Sequence, residues 1–256
     1  MSFIHHFCIT GKNYSFLKRL HINVILSGAI NKDLTKFPTK WLKDSTGENI
    51  SEKNINFGTL SSHYWFWKNK SPIMQNEDWI GFNHYRRFWV KENSLRDIKT
   101  SNLDENILRE IPSGNFDVIL PEKIELKNLK LSFNRKRYNI NLHFDLFHGY
   151  NLLNKATELL DEEDKESFRN YINTKYSFYP LQIFITKKKF LDLLYEKTFK
   201  WIFRCEKTFG NMELKGYGKE RLYDFLAERY FSYYFEKNLK IKTWPFIILE
   251  EKLDEI

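Results

Sequence analysis

Short apolar runs rich in β-branched and aromatic residues recur along the chain at "INVILSG" (22–28), "WIGFN" (79–83), "FDVILP" (116–121), "LQIFIT" (181–186) and "WPFIIL" (244–249). Each has the length and make-up of a buried strand. "FIHHFCIT" (3–10) reads as the first of the series. Between them the apolar period becomes helical. In "NFGTLSSHYWFWKN" (56–69) Phe57, Leu60, Tyr64 and Trp67 fall on one face, and "TKKKFLDLLYEKTFKWIFRCEKTFG" (186–210) places Phe190, Leu193, Leu194, Trp201 and Cys205 in the same way. Strands alternating with helices predict an α/β fold whose mostly parallel central sheet is flanked by helices. With 10 Gly, 6 Pro, no internal repeat and no Pro/Gly/Ser-rich linker, residues 1–256 are expected to form a single domain. Such sheets bind ligands beyond the carboxyl ends of their strands.

Charge narrows the partner. A net charge of +8 and a pI near 9.2 suit an anionic one: nucleic acid, a membrane surface or a phosphorylated small molecule. Cys8 and Cys205 are the only cysteines, too few for a disulfide framework or a cysteine zinc site, which favours a reducing compartment. No segment approaches the ~20 apolar residues of a membrane span, and "MSFIHHFCITGKNYSF" lacks a signal-peptide core. The expectation is a cytoplasmic protein that can make peripheral contact with the inner membrane.

Candidate chemistry concentrates at "DWIGFNHYRRFWV" (78–90). If Ile80 to Arg87 is extended, His84 and Arg86 share one face and Tyr85 and Arg87 the other. Two arginines at a sheet's ligand edge suit a diphosphate, because guanidinium groups bond phosphate oxygens in a bidentate manner and keep their charge. Ordinary salt bridges are the alternative. The polar loop opening "DSTGENISEKN" (44–54) offers Asp44, Gly47, Asn49 and Asn54 to ribose hydroxyls or a base edge, or is a plain loop capped by Ser51 or Asn54. "DEED" (161–164) reads as a solvated helix start. In "ERLYDFLAERYFSYYF" (220–235) the apolar stripe is Leu222, Phe225, Leu226, Tyr230 and Tyr233, with Arg229 inside it and Glu228 at its flank. A buried Arg229 requires a partner.

The order and spacing of "DSTGENISEKN", "HYWFWKN" and "DWIGFNHYRRF", followed by "DVILP", His143 with Asp145 and Leu146, "YPLQIFITKK" and "DFLAERY", resemble the DUF4422 family over nearly the whole chain. The resemblance implies a GT-A-like fold and a bacterial glycosyltransferase of capsule, exopolysaccharide or lipopolysaccharide synthesis. It further implies a UDP-sugar donor, galactofuranose for some members, and a glycan or lipid-linked glycan acceptor. The chain departs from the family pattern at Thr59, in place of Glu, and at Gln182, in place of Asn.

Glycosyl transfer develops oxocarbenium character at the sugar and negative charge on the departing diphosphate. No acidic Asp-x-Asp motif stands out, and "HYRRF" occupies about its place, so cationic side chains are expected to replace a metal. Mn2+ or Mg2+ with His84 as a ligand is the alternative. Donor contacts are assigned to His6, Asp44, Gly47, Asn49, Asn54, His84, Tyr85, Arg86 and Arg87. Acceptor contacts are assigned to Arg137, His143, Gln182 and Arg229. An inverting transfer needs a base, normally a carboxylate; Asp145, Asp224 and Glu228 qualify, with Glu228 preferred and Asp145 second. The rival classes are a basic nucleic-acid-binding module, against which stands the absence of a groove-reading motif, and a noncatalytic partner in a glycan-synthesis complex.

Overall fold

A computed structural model describes residues 2–92, 97–126, 138–210, 216–249 and 254–255. Its strands are β1 (Ile4–Thr10), β2 (Asn23–Leu26), β3 (Leu42–Lys43), β4 (Trp79–His84), β5 (Arg87–Trp89), β6 (Val118–Leu120), β7 (Ile124–Glu125), β8 (Ser177–Phe178), β9 (Ile185–Lys187), β10 (Ile241–Thr243) and β11 (Phe246–Ile248). The helices are α1 (Asn54–Phe57), α2 (Leu60–Asn69), α3 (Leu103–Asn106), α4 (Ile140–Phe147), α5 (Leu152–Thr157), α6 (Glu162–Thr174), α7 (Lys188–Phe209), α8 (Tyr217–Glu220) and α9 (Leu222–Asn238).

One sheet runs β10-β6-β9-β4-β1-β2-β3, with β5 joined to β4 and β11 to β5; β7 and β8 form a separate ribbon. β4, β1, β2 and β3 are parallel neighbours, as are β6 and β10, while β9 is antiparallel to both β4 and β6. This is the α/β architecture expected, a mostly parallel sheet flanked by helices. Every residue of β4 is buried, which suits a strand covered on both faces. Alternation in β1 divides its side chains accordingly. Phe7 and Ile9 join the core that includes Phe57, Phe66 and Phe231 from α1, α2 and α9, whereas Cys8 enters a second core with Phe16, Leu17 and Phe88.

Three local expectations change. "HYRRF" is not one extended strand: the chain turns at Tyr85 and Arg86, and His84 pairs with Arg87 across an antiparallel hairpin. His84 and Arg87, rather than His84 and Arg86, therefore share a face. Only the end of "LQIFIT" is strand, because Leu181 and Gln182 adopt φ of 77° and 51°, a left-handed turn rare for side-chain-bearing residues. In "DEED" the helix does start at Glu162, but Asp164 is buried rather than solvated.

Candidate active site

A cleft of about 390 Å³ opens where the carboxyl ends of β1, β2 and β4 converge. Gly11 and Lys12 follow β1, Ser27 follows β2, and the hairpin contributes His84, Tyr85 and Arg87. The start of α9 adds Arg221, Asp224, Phe225 and Glu228, and the turn at Leu181 and Gln182 completes the wall.

The hairpin side is cationic or neutral. Burial, then the charges of Arg87 and Arg221, hold the His84 imidazole down at about 3, so it is a neutral ring at physiological pH. His84 Nε2 and Arg87 Nε are buried without a hydrogen-bond partner among the described residues. Orphaned buried polar atoms of this kind demand a resolution, and a bound anion or hydroxyl supplies one.

The α9 side is acidic, and its two carboxylates differ. Asp224 Oδ1 accepts from Thr59 Oγ1 (3.2 Å), Leu60 N (3.3 Å) and Gln182 Nε2 (3.1 Å). Its Oδ2 receives no protein donor among the described residues. Burial lifts this carboxyl to about 7; Arg221 opposes the rise and the charge of Glu228 adds to it. Gly58 (φ 51°) makes room for it, since a Cβ there would lie 2.5 Å from Asp224 Oδ2. Glu228 has both oxygens engaged. Oε1 accepts from Leu181 N (2.6 Å) and Oε2 pairs with Arg229. The strained turn thus braces both acids, through the Leu181 backbone and the Gln182 side chain.

Arg229 finds the partner its burial requires in Glu228, and its guanidinium lies 3.8 Å from the Phe178 ring centre. Its Nη2 donates to His148 Nε2 (3.4 Å), while His148 Nδ1 donates to Gly218 O (2.6 Å). Burial and the nearby Arg229 keep His148 neutral, at about 3.

Of the residues expected from sequence, the cleft gathers Asn54, His84, Tyr85, Arg87, Gln182, Asp224 and Glu228. Tyr85 stacks on Tyr14 (4.9 Å), and Asn54 Nδ2 donates to Gly58 O (2.6 Å) and Ser27 Oγ (2.9 Å). The others do not line it, each for a visible reason. His6 bonds Leu108 O (2.5 Å) and Asn83 inside the fold. Asp44, fully buried, accepts from Gly28 N, Ala29 N, Ser51 Oγ and Ser61 Oγ and so fixes the β2 turn. Asn49 bonds Gly47 O and Ser51 N, folding the Gly47 loop on itself. Arg86 Nε turns to Leu249 O (3.2 Å), tying down the chain after β11. Asp145 caps the turn after α4 by accepting from Asn151 N (2.8 Å). His143 and Arg229 lie among Phe147, Phe178 and His148. Arg137 lies outside the described residues.

Asp224 outranks the two preferred acids in position, and Arg221 and Lys12 were not anticipated. A signal for Asp224 existed: it precedes Glu228 by four residues, so both share one helix face. Among the described residues no three His, Cys, Asp or Glu side chains come together to hold a metal ion. The donors at the β4 end are a neutral imidazole and guanidinium groups, which do not fit Mn2+ or Mg2+.

The chain belongs to the family described as a domain of unknown function, DUF4422, whose pattern matches residues 6–239. Among solved structures, the fold is similar to that of the WbbM bifunctional glycosyltransferase in its apo form, with a TM-score of 0.74 at 19% sequence identity. That superposition covers 100% of this chain and 46% of the other, so the chain spans about half the length of that protein. A search of curated protein sequences finds no match.

Proposed function

We propose that this chain is a glycosyltransferase that moves a sugar, galactofuranose or a related hexose, from a UDP-linked donor to a capsular or lipopolysaccharide acceptor, with Asp224 as the general base. The observation that carries this reading is Asp224, whose donors among the described residues all fall on Oδ1 and leave Oδ2 without one, in a cleft whose other wall presents Arg87 and His84 with orphaned nitrogens. Family membership and the fold shared with a bifunctional glycosyltransferase support the reaction class.

In an inverting transfer the acceptor hydroxyl gives its proton to Asp224 Oδ2 as its oxygen bonds the anomeric carbon. The bond from that carbon to the diphosphate oxygen breaks, and UDP leaves with the electron pair. Negative charge then grows beside Arg87, and preorganised cations are worth most where charge develops. With its proton affinity near neutral pH, Asp224 is matched to removing a proton at pH 7. Glu228, held by Arg229 and the Leu181 amide, is the positioning partner whose charge raises Asp224.

Thermal shift with UDP, other nucleoside diphosphates and duplex DNA tests the donor class. UDP should raise the melting temperature most, by mass action on the folded state. Stabilisation by DNA with none by UDP would move the protein to the nucleic-acid class. Stabilisation by neither would leave a noncatalytic partner.

A further inference from the structure

Most large apolar side chains exposed among the described residues are scattered singly, as on ordinary protein surfaces. Leu142, Leu146, Phe147 and Tyr150 are not: four of the thirteen fall within nine residues. Leu142 and Leu146 lie one turn apart on α4, Phe147 ends it, and Tyr150 is 84% exposed in the turn beyond. The inner face of α4 is already filled by the fully buried Ile140 and Phe144. A helix apolar on both sides normally has both sides covered.

Lysines ring this face. Ile140 N donates to Lys175 O at the start of α4, Lys219 follows the Gly218 that bonds His148, and Lys155 lies on α5 just past Tyr150. All three are exposed, and none forms an ion pair among the described residues. Two acids on these elements are engaged locally, Asp145 with Asn151 N and Glu220 with Gly216 N.

We propose that the outer face of α4 docks the protein on an anionic lipid bilayer. Leu142, Leu146, Phe147 and Tyr150 would enter the headgroup boundary while Lys155, Lys175 and Lys219 meet the lipid phosphates. The net charge of +8 has the sign this requires. A second copy fits less well, because a two-fold contact sets the same lysines against each other. The face is also continuous with the cleft. His148, directly after α4, stacks at 3.9 Å on Phe225, which lines it. Docking would therefore bring the cleft to the headgroup level, where a lipid-linked acceptor carries its phosphates.

Flotation of the chain with phosphatidylcholine vesicles, with and without phosphatidylglycerol, tests this without measuring transfer. The wild type should float only with the anionic vesicles and be released by salt, as screening demands. Leu146→Glu combined with Phe147→Glu should weaken binding by at least about tenfold, with melting temperature and UDP response unchanged. Lys155→Glu with Lys219→Glu should act in the same direction. Flotation that ignores lipid charge, or persists in both double variants, overturns the proposal. So does a wild-type dimer that Leu146→Glu with Phe147→Glu converts to monomer, which would make the face a contact between copies.

Discussion

Helix α9 meets an aspartate at each end, and the two behave in opposite ways. Near its start, its own Asp224 is lifted to about 7. Towards its end, Asp164 of α6 is held down at about 2, although burial pushes it upward too. The difference lies in the donors. Asp164 receives Tyr230 (2.9 Å) and Lys197 (3.2 Å) on one oxygen and Tyr233 (3.0 Å) and Lys237 (2.8 Å) on the other. Among the described residues Asp224 has donors on one oxygen only, and a like charge beside it in Glu228. A satisfied carboxylate fastens α6 to α9; a half-satisfied one keeps an oxygen available for chemistry.

The largest effect should separate the two by rate. Asp224→Asn should lower transfer about 10²- to 10⁴-fold, the usual loss of a general base, with UDP affinity kept within a few-fold. Wild-type transfer should rise with pH through about 7, as Asp224 loses its proton. The stability sign is the reverse. Because the folded state binds this proton more tightly than the unfolded chain, stability falls as pH rises from about 4 to about 7 and stays low above. Asp224→Asn should therefore melt higher than the wild type at pH 8 and less so at pH 5. An active, folded Asp224→Asn removes it as the base, and Glu228→Gln becomes the variant to test.

Next in size, Asp164→Asn should destabilise by about 2 kcal/mol, the range for losing hydrogen bonds to a charged group, reduced by the partial exposure of both lysines. Turnover per folded molecule should be unchanged, as chemical denaturation and active-site titration would show. A turnover defect at constant stability would erase the contrast.

The smallest effect concerns the arginine pair. Arg87→Ala should lose about tenfold in turnover through the weakened leaving group, whereas Arg86→Ala should act on stability through its bond to Leu249. Equal kinetic losses from both would mean that Arg86 also reaches the donor.

The layer plan was legible because strand and helix periods are local properties: all five apolar runs contain strands, and "FIHHFCIT" holds β1. What was not legible depends on distant neighbours or on turns without a signature. Tyr85 and Arg86 make a hairpin turn with neither Gly nor Asn, so nothing in "HYRRF" announced the reversal. Asp164 looked solvated because its donors arrive from α7 and α9, more than thirty residues on. Asp44 belongs to a ligand-like loop by composition, yet serines and backbone amides of its own fold consume it. The cleft acids were narrowed to a short set by motif, but ranking them needed to show which one Arg229 occupies.

The order of strands in the sheet also bears on synthesis. β9 lies between β4 and β6, so two strands already made wait for a third that ends at Lys187. Until the ribosome has delivered that stretch, β1 to β4 can assemble as a parallel block, but one side of β4 stays unpaired. Bare strand edges recruit other chains. A nascent or truncated product that stops short of β9 should therefore aggregate more readily than one that includes Ile185–Lys187.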